Sequence, residues 1–380
     1  EDLFSSNKDS KTNFKELLYQ SVSNIIDRDK NIGVMMSGGL DSSAIAIALM
    51  ENNFNDVRTY SANFSHISKI ETIDETIYQK NISNLTSYKH THIQMEDKST
   101  IKPIQKFTKI FNQPIIFPNI YLFDEVIKKL RADNIEVILD GHDGDNTVSH
   151  GFEVLYFYFI RLRFYKFIKE IYLYSRFKNA SFKRLLYIFT KQAFKKFFNI
   201  KDRESKKSIL KNNIKIKKNQ KNIISFFSSH EEKLNIDLHY LGNEYRSYLF
   251  KYFDIENFSP FYDEILIDFC INMPNKDKFN DGYTRTTLRN FLSNFLPEEH
   301  FNRDKSILTS GLIKNFNDFD LSIVNTELKN LNKNLLELVD IEKLHNIVEN
   351  FKDGQNIEEE ELINLQIFVS ANTFLNYHNL

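Results

Sequence analysis

The stretch that most constrains this chain is NIGVMMSGGLDSSAIAIALM, residues Asn31 to Met50. A short apolar run enters a glycine pair, passes one aspartate among three serines, and leaves as a smooth apolar helix pattern. The chain has only ten glycines in 380 residues, and two stand side by side here. Glycine permits positive φ and close backbone approach. A helix that starts directly from such a turn presents free amide N–H groups and the positive end of its dipole. The pattern therefore reads as an anion site built from Gly38 and Gly39, with Ser37, Ser42 and Ser43 adding hydroxyl donors. Asp41 is the odd member, because a carboxylate repels phosphate. It makes sense as a ligand of Mg²⁺, which bridges carboxylate and phosphate oxygens. The G-x-x-x-x-G-K-S/T pattern is absent, so this is not a Walker-type loop.

Helical spacing of apolar residues recurs at Asn13–Ile26, Asp41–Glu51, TIDETIYQKNISNL (with Asp74 and Glu75 in its first turn) and Tyr121–Ala132. Strand patterns fall at NIGVMM, VRTYSANF, YKHTHIQM and IEVILD. Strands separated by helix-length connections predict βαβ units and a parallel sheet. In such sheets ligands bind beyond the carboxyl ends of the strands. After Gly151 aromatics crowd in and strand patterns vanish, so mainly helices are expected to the end. The expected division is an N-terminal helix and linker over 1–30, an α/β core carrying the anion site over 31–151, and a mainly helical region over 152–380.

The formal net charge is −1, so the field of the whole protein points to no particular partner. The single cysteine, Cys270, rules out a disulfide framework and suits a reducing cytoplasm. In its apolar run it reads as a small core residue. No segment reaches the length of a membrane span, and the polar first residues do not resemble a signal peptide. The expectation is a cytoplasmic protein with no membrane partner. Lys183 to Lys221 holds fourteen Lys or Arg against two acids. That run is either a solvated helix face with a loop, or a surface for a polyanion or acidic peptide. Glu358 to Glu361 is an acidic counterpart near the C-terminus.

The fourth strand pattern runs into VILDGHDGDNTVSHG, where three acids, Asp140, Asp143 and Asp145, sit among glycines. A second carboxylate facing Asp41 would complete a metal site under the bound anion. His142 has two readings: a general base, or a loop histidine hydrogen-bonded to a carbonyl or carboxylate. His150 reads as structural.

Ser-Gly-Gly-Leu-Asp-Ser resembles the pyrophosphate (PP) loop of the ATP pyrophosphatases, which cleave ATP between the α and β phosphates. The loop alone does not choose among asparagine, GMP, NAD and argininosuccinate synthetases and tRNA-modifying enzymes. Three further resemblances point to asparagine synthetases. The second loop is similar to that family's Gly-x-Gly-x-Asp, with Gly141 as the first glycine, Asp145 as the metal-binding acid, and His142 where the family carries Glu or Tyr. ENFSPFYDEILIDFCINMP resembles E-x-R-x-P-F-L-D, matching at Glu256, Pro260, Phe261 and Asp263, with Phe258 in place of arginine. GYTRTTLRNFLSNFLPEEHFNRDKSIL resembles G-x-T-K-x-x-L-R, then L-P, then R-x-K, matching at Gly282, Thr284, Leu288, Arg289, Leu296, Pro297, Arg303 and Lys305, with Arg285 replacing lysine.

The resemblance implies a fold of the adenine nucleotide α-hydrolase-like (Rossmann-like, PP-loop) type with a helical C-terminal half. It implies ATP and Mg²⁺ as cofactors, the backbone from Val34 to Met36 around adenine, Asp41 and Asp145 on the metal, and Lys305 over the α-phosphate. Arg289 and Arg303 are either part of that cationic set or structural. The implied reaction adenylates a carboxylate, releases pyrophosphate and couples the acyl group to ammonia or another amine. Asparagine synthetases carry an N-terminal glutaminase domain with a terminal cysteine. Here that domain is either removed before Glu1 or a separate chain, or the nitrogen comes from free ammonia or from the substrate's own amine. In the last case the chain would be a cyclase of the lasso-peptide or β-lactam type. A PP-loop enzyme acting on tRNA and a non-catalytic binding relative are the remaining alternatives, with nucleic acid disfavoured by the C-terminal motifs.

Overall fold

The computed structural model describes residues 9–64, 75–198, 200, 209–211, 229–234, 237–302, 313 and 315–380. The first part runs α1 (Asp9–Ser23), β1 (Ile32–Met35), α2 (Leu40–Glu51), β2 (Val57–Asn63), α3 (Thr76–Thr86), β3 (Lys89–Gln94), α4 (Lys102–Phe111), α5 (Ile120–Ala132), β4 (Val137–Asp140) and α6 (Gly144–Thr147). Then come α7 (Phe152–Ile160), α8 (Phe164–Phe177), α9 (Phe182–Phe197), α10 (His230–Leu234), α11 (Asp237–Tyr252), β5 (Glu256–Phe258), a 3₁₀ turn (Pro260–Tyr262), α12 (Glu264–Asn272) and α13 (Asn275–Lys278). A small hairpin of β6 (Phe279–Asn280) and β7 (Tyr283–Thr284) precedes α14 (Thr286–Leu292), α15 (Glu298–Phe301), α16 (Asp318–Lys329), α17 (Ile341–Lys352) and α18 (Glu359–Tyr377).

The fold is α/β. Five strands pair in the order β3-β2-β1-β4-β5, all parallel. Period-two alternation puts Ile32, Val34, Val137 and Leu139 on one face of the sheet and Met35, Tyr60 and Ile138 on the other. The first face is covered by α1, α2, α12 and α14, and the second by α4, α5 and the C-terminal helices α16 to α18. Helix α2 lies deep in this packing. Ala44 to Leu49 are all fully buried, which is why its pattern is apolar all round rather than striped. Each buried Ile or Leu there contributes about 1.5–3 kcal/mol, and together they fix where the helix begins.

Two features differ from the sequence reading. Strands do not end at Gly151: β5 joins the main sheet beside β4, and β6–β7 form a hairpin. Strands of two or three residues are too short to show a period. Helix α4 lies in a stretch for which the sequence predicted no element. The acidic run near the C-terminus has a local explanation. Glu361 accepts from the Glu358 amide at 2.9 Å, closing a capping box at the start of α18. Cys270 is fully buried in the core, and burial pushes its thiol up to about 12. Among the described residues, no helix is long and apolar enough to cross a membrane.

Candidate active site

The end of β1 turns into α2 through Ser37, Gly38 and Gly39. Gly38 takes φ +83°, and a Cβ there would lie 3.0 Å from Tyr78 Cβ. Only glycine suits both demands. The loop folds back on itself: Ser37 Oγ accepts from the Gly39 amide at 3.1 Å and lies 3.2 Å from Ser42 Oγ. The Ser42 hydroxyl donates to the Gly39 carbonyl at 3.2 Å. Gln79 of α3 donates to the Ser37 carbonyl at 3.3 Å. Met36 is buried, and its amide donates to the Tyr60 carbonyl. Ser43 has a different setting from its neighbours. Its hydroxyl is fully buried, 3.0 Å from His300 Nε2, one side of a contact that docks α15 onto the first turn of α2.

The second loop packs directly against this turn. β4 lies beside β1, with Asp140 in register with Met35, so the two loops leave adjacent strand ends. A Cβ on Gly141 would lie 2.7 Å from the Ser42 amide nitrogen and 2.8 Å from Asp41 Cβ. A Cβ on Gly144 would lie 2.7 Å from Asp41 Cγ and 2.9 Å from the Phe261 ring. Gly144, rather than Gly141, faces the carboxyl group itself. Asp140 is a structural hub. It accepts from the His142 amide (3.0 Å), Asn257 Nδ2 (3.0 Å) and Ser259 Oγ (2.6 Å), and it pairs with Arg246 Nη2 at 2.8 Å. Asp143 adopts φ +60° and accepts from the Asn146 side chain and from Tyr262 Oη, the latter at 2.9 Å. Asp145 is less buried, with His150 Nε2 at 3.6 Å from its carboxylate.

The PFYD motif explains this loop's position. Phe261 is fully buried under Gly144, and its carbonyl accepts from Thr147 Oγ1 at 3.0 Å. Asp263 caps α12 by accepting from the Leu266 amide. Glu256 instead forms an exposed ion pair with Lys30.

The third motif brings a cation to the first loop. Arg285, from the G-x-T-R segment, donates through Nη1 to Asp41 Oδ2 at 3.1 Å and through Nη2 to Asp41 Oδ1. This fork-on-carboxylate geometry spans 244 residues of sequence. Burial, and secondarily the neighbouring Arg289, push the Arg285 guanidinium down to about 9, so it stays charged at neutral pH. Arg289 is structural: it donates to the carbonyls of Thr284 and Phe301 and lies over the Phe177 ring. Arg303 and Lys305, like Asp74, lie outside the described residues.

His142 sits over Tyr262, with ring centroids 6.2 Å apart. Its imidazole makes no hydrogen bond among the described residues. Burial, helped by Arg246, lowers its pKa to about 4, against the raising effect of Asp140, Asp143 and Asp145. It is therefore neutral at pH 7. Among the described residues no three His, Cys, Asp or Glu side chains gather to hold a metal. The sequence reading missed Arg285 as the partner of Asp41, His300 as the partner of Ser43, and Arg246 with Ser259 as the anchors of Asp140. For Arg285 a signal existed, a positive charge kept where the motif carries lysine; for the others there was none.

Comparison with known proteins agrees with this geometry. The family described as asparagine synthase matches residues 13–376. A putative asparagine synthetase (glutamine-hydrolyzing) of Methanocaldococcus jannaschii is 28% identical over 138 residues, covering 35% of this chain and 25% of that protein. The match thus spans about a quarter of the length of that relative. With the family covering nearly the whole chain, and its loops meeting at one end of the sheet, the chain belongs to the asparagine synthase family.

Proposed function

We propose that this protein adenylates a substrate carboxylate with ATP, releases pyrophosphate, and joins the acyl group to an amine or ammonia with loss of AMP. Membership of a family of ATP-dependent ligases supports the general class. The single observation that carries the specific reading is the convergence on Asp41. The PP-loop aspartate is packed by Gly144 of the second loop and clamped by Arg285 of the third motif.

In this reading the Ser37–Ser43 turn holds the departing pyrophosphate, with the Ser37 hydroxyl turning from the Gly39 amide to a phosphate oxygen. A carboxylate oxygen attacks the α-phosphorus, the α–β bridging P–O bond breaks, and its electrons leave with pyrophosphate. The amine nitrogen then attacks the acyl carbon. Neutral His142 takes the nitrogen's proton, and the bond from the acyl carbon to AMP oxygen breaks. Lys305, by its motif position, steadies charge on the α-phosphate.

Asp41 and Asp145 would hold Mg²⁺, which takes one or two carboxylates and completes its shell with phosphates and water. The fit is supported by Asp41 itself, a half-buried carboxylate that already demands a counter-cation, here the Arg285 guanidinium. When bound, Mg²⁺ neutralises the charge of the triphosphate. Arg285 donates to both oxygens of the Asp41 carboxylate, and with a cation held there its guanidinium would be free to pair with the phosphates instead.

The test is to incubate the chain with ATP, Mg²⁺ and panels of carboxylates and amines, and to measure AMP and pyrophosphate. Release should depend on a carboxylate, and Asp145→Asn should abolish it. Formation of ADP and orthophosphate, or an unchanged rate in Asp145→Asn, would sink the assignment. Whether the amine is ammonia or belongs to the substrate, as in a cyclase, follows from which additions are required.

A further inference from the structure

Outside the candidate site, the most unusual surface is the end of the helical hairpin formed by α7, α8 and α9. The three helices share their own core around Phe152, Phe167, Tyr174 and Phe189. Phe159, near the end of α7, touches Phe164 at the start of α8 (6.1 Å) and Phe194 near the end of α9 (5.1 Å). The end of α7, the start of α8 and the end of α9 therefore meet at one tip. At that tip Leu162 is 72% exposed and Tyr165 80% exposed, and Phe164, Phe194, Phe197 and Phe198 are all exposed. A soluble surface rarely gathers so many large apolar groups in one place.

The charge along the hairpin is mostly positive, with Lys169 paired to Asp281 and Lys196 to Glu232. Residues 160–198 hold eleven Lys or Arg and one acid, Glu170. Glu170 is buried midway along α8, accepting from the Gly282 amide at 2.8 Å. Arg161 and Arg163 lie over the Phe157 ring, and Lys166 over Tyr158. None of these three forms an ion pair among the described residues. The chain as a whole is close to neutral, so this is a local feature.

We propose that the hairpin tip is a docking surface for an anionic lipid bilayer, with Leu162, Phe164 and Tyr165 entering the interface and Arg161, Arg163 and Lys166 engaging headgroup phosphates. Aliphatic and aromatic side chains interleaved with long cationic ones match the interface between acyl chains and headgroups. Lying on a membrane requires no spanning helix. A second copy is a poor occupant, because a two-fold contact sets the patch against its own positive charge. So is the chain's own segment 201–228, which carries nine Lys or Arg against two acids. Single-stranded nucleic acid is less well matched, since it binds along grooves with stacking platforms, whereas Leu162 and Tyr165 project from a helix corner.

The test is co-sedimentation of the full chain with vesicles of phosphatidylcholine alone and of an equal mixture with phosphatidylglycerol. Binding is expected to the anionic vesicles only and to weaken with salt. Two double variants separate the contributions: Leu162→Asp with Tyr165→Asp, and Arg161→Glu with Arg163→Glu. Each should lower partitioning on the order of tenfold or more, with an unchanged thermal melt because these side chains are exposed. Should one pair disturb folding, the other decides. Equal binding to neutral vesicles, or none to either, overturns the proposal. So does tight binding to a single-stranded RNA homopolymer without vesicle binding, or a dimer that Leu162→Asp dissolves.

Discussion

Two aspartate–arginine pairs lie beyond the ends of adjacent strands, one at the last residue of β4 and one in the first turn of α2, and they have opposite surroundings. Asp140, the last residue of β4, pairs with Arg246 and also accepts from the His142 amide, Asn257 and Ser259. Its side chain is 9% exposed. Asp41, one loop away, holds only Arg285 among the described residues, and its side chain is 18% exposed. The same chemistry thus serves two ends. A carboxylate saturated by donors from three elements locks β4, β5 and α11 together. A carboxylate held by a single guanidinium can exchange that partner for another cation.

Breaking the first pair should have the largest effect on stability. Asp140→Ala leaves Arg246 buried without its counter-ion and should cost about 3–5 kcal/mol in chemical denaturation. Asp41→Asn should cost less, on the order of 1–2 kcal/mol, yet abolish pyrophosphate release. Equal stability losses at the two positions would erase the distinction.

The exchange proposed at Asp41 is sharpened by Arg285→Gln. Without the guanidinium, the metal-free protein should melt lower, and Mg–ATP should raise its melting temperature more than it raises that of the unaltered protein. An identical ligand-induced shift in both would mean that Arg285 and the incoming cation do not share Asp41. Gly144→Ala probes the packing over the same carboxylate. A methyl group 2.7 Å from Asp41 Cγ must displace one loop, and kcat/KM for ATP should fall roughly ten- to a hundredfold. A fall in thermal stability with no kinetic effect would assign Gly144 to folding alone.

The effect that is smallest per pH unit is the titration of buried histidines. His90, His142 and His230 all have pKa values lowered to about 4, chiefly by burial. In the unfolded chain each takes up a proton near pH 6.5, and in the folded protein only near pH 4. Between those values the unfolded state binds more protons, so stability falls as pH drops from 6.5 toward 4. Each histidine contributes at most about 1.4 kcal/mol per pH unit. His142→Gln should flatten the curve measured by denaturation at pH 7, 5 and 4; an unchanged slope would remove His142 from the set.

Much of the framework was legible because it rests on local pattern. The four strands β1 to β4 and helices α1, α2, α3 and α5 follow from periodicity, and the loop between β1 and α2 from its glycines. The second loop at the end of β4 was legible from its acids and glycines. What escaped were short elements, such as β5, and the choice of partners. Nothing within a few residues of Ser43 indicates that His300 will face it, and nothing near Asp140 points to Arg246.

The sequence by itself determined the parallel sheet, the glycine turn before α2 and the order of the three motifs, because backbone preference and side-chain period act over a few residues. Only the tertiary structure decided that Arg285 would clamp Asp41, that Gly144 would lie over its carboxyl group, and that α7 to α9 would collect their exposed aromatics and arginines at one tip. Those outcomes depend on which surfaces the cores on the two faces of the sheet leave opposite one another. Close packing fixes such pairings across hundreds of residues, and no local pattern encodes them.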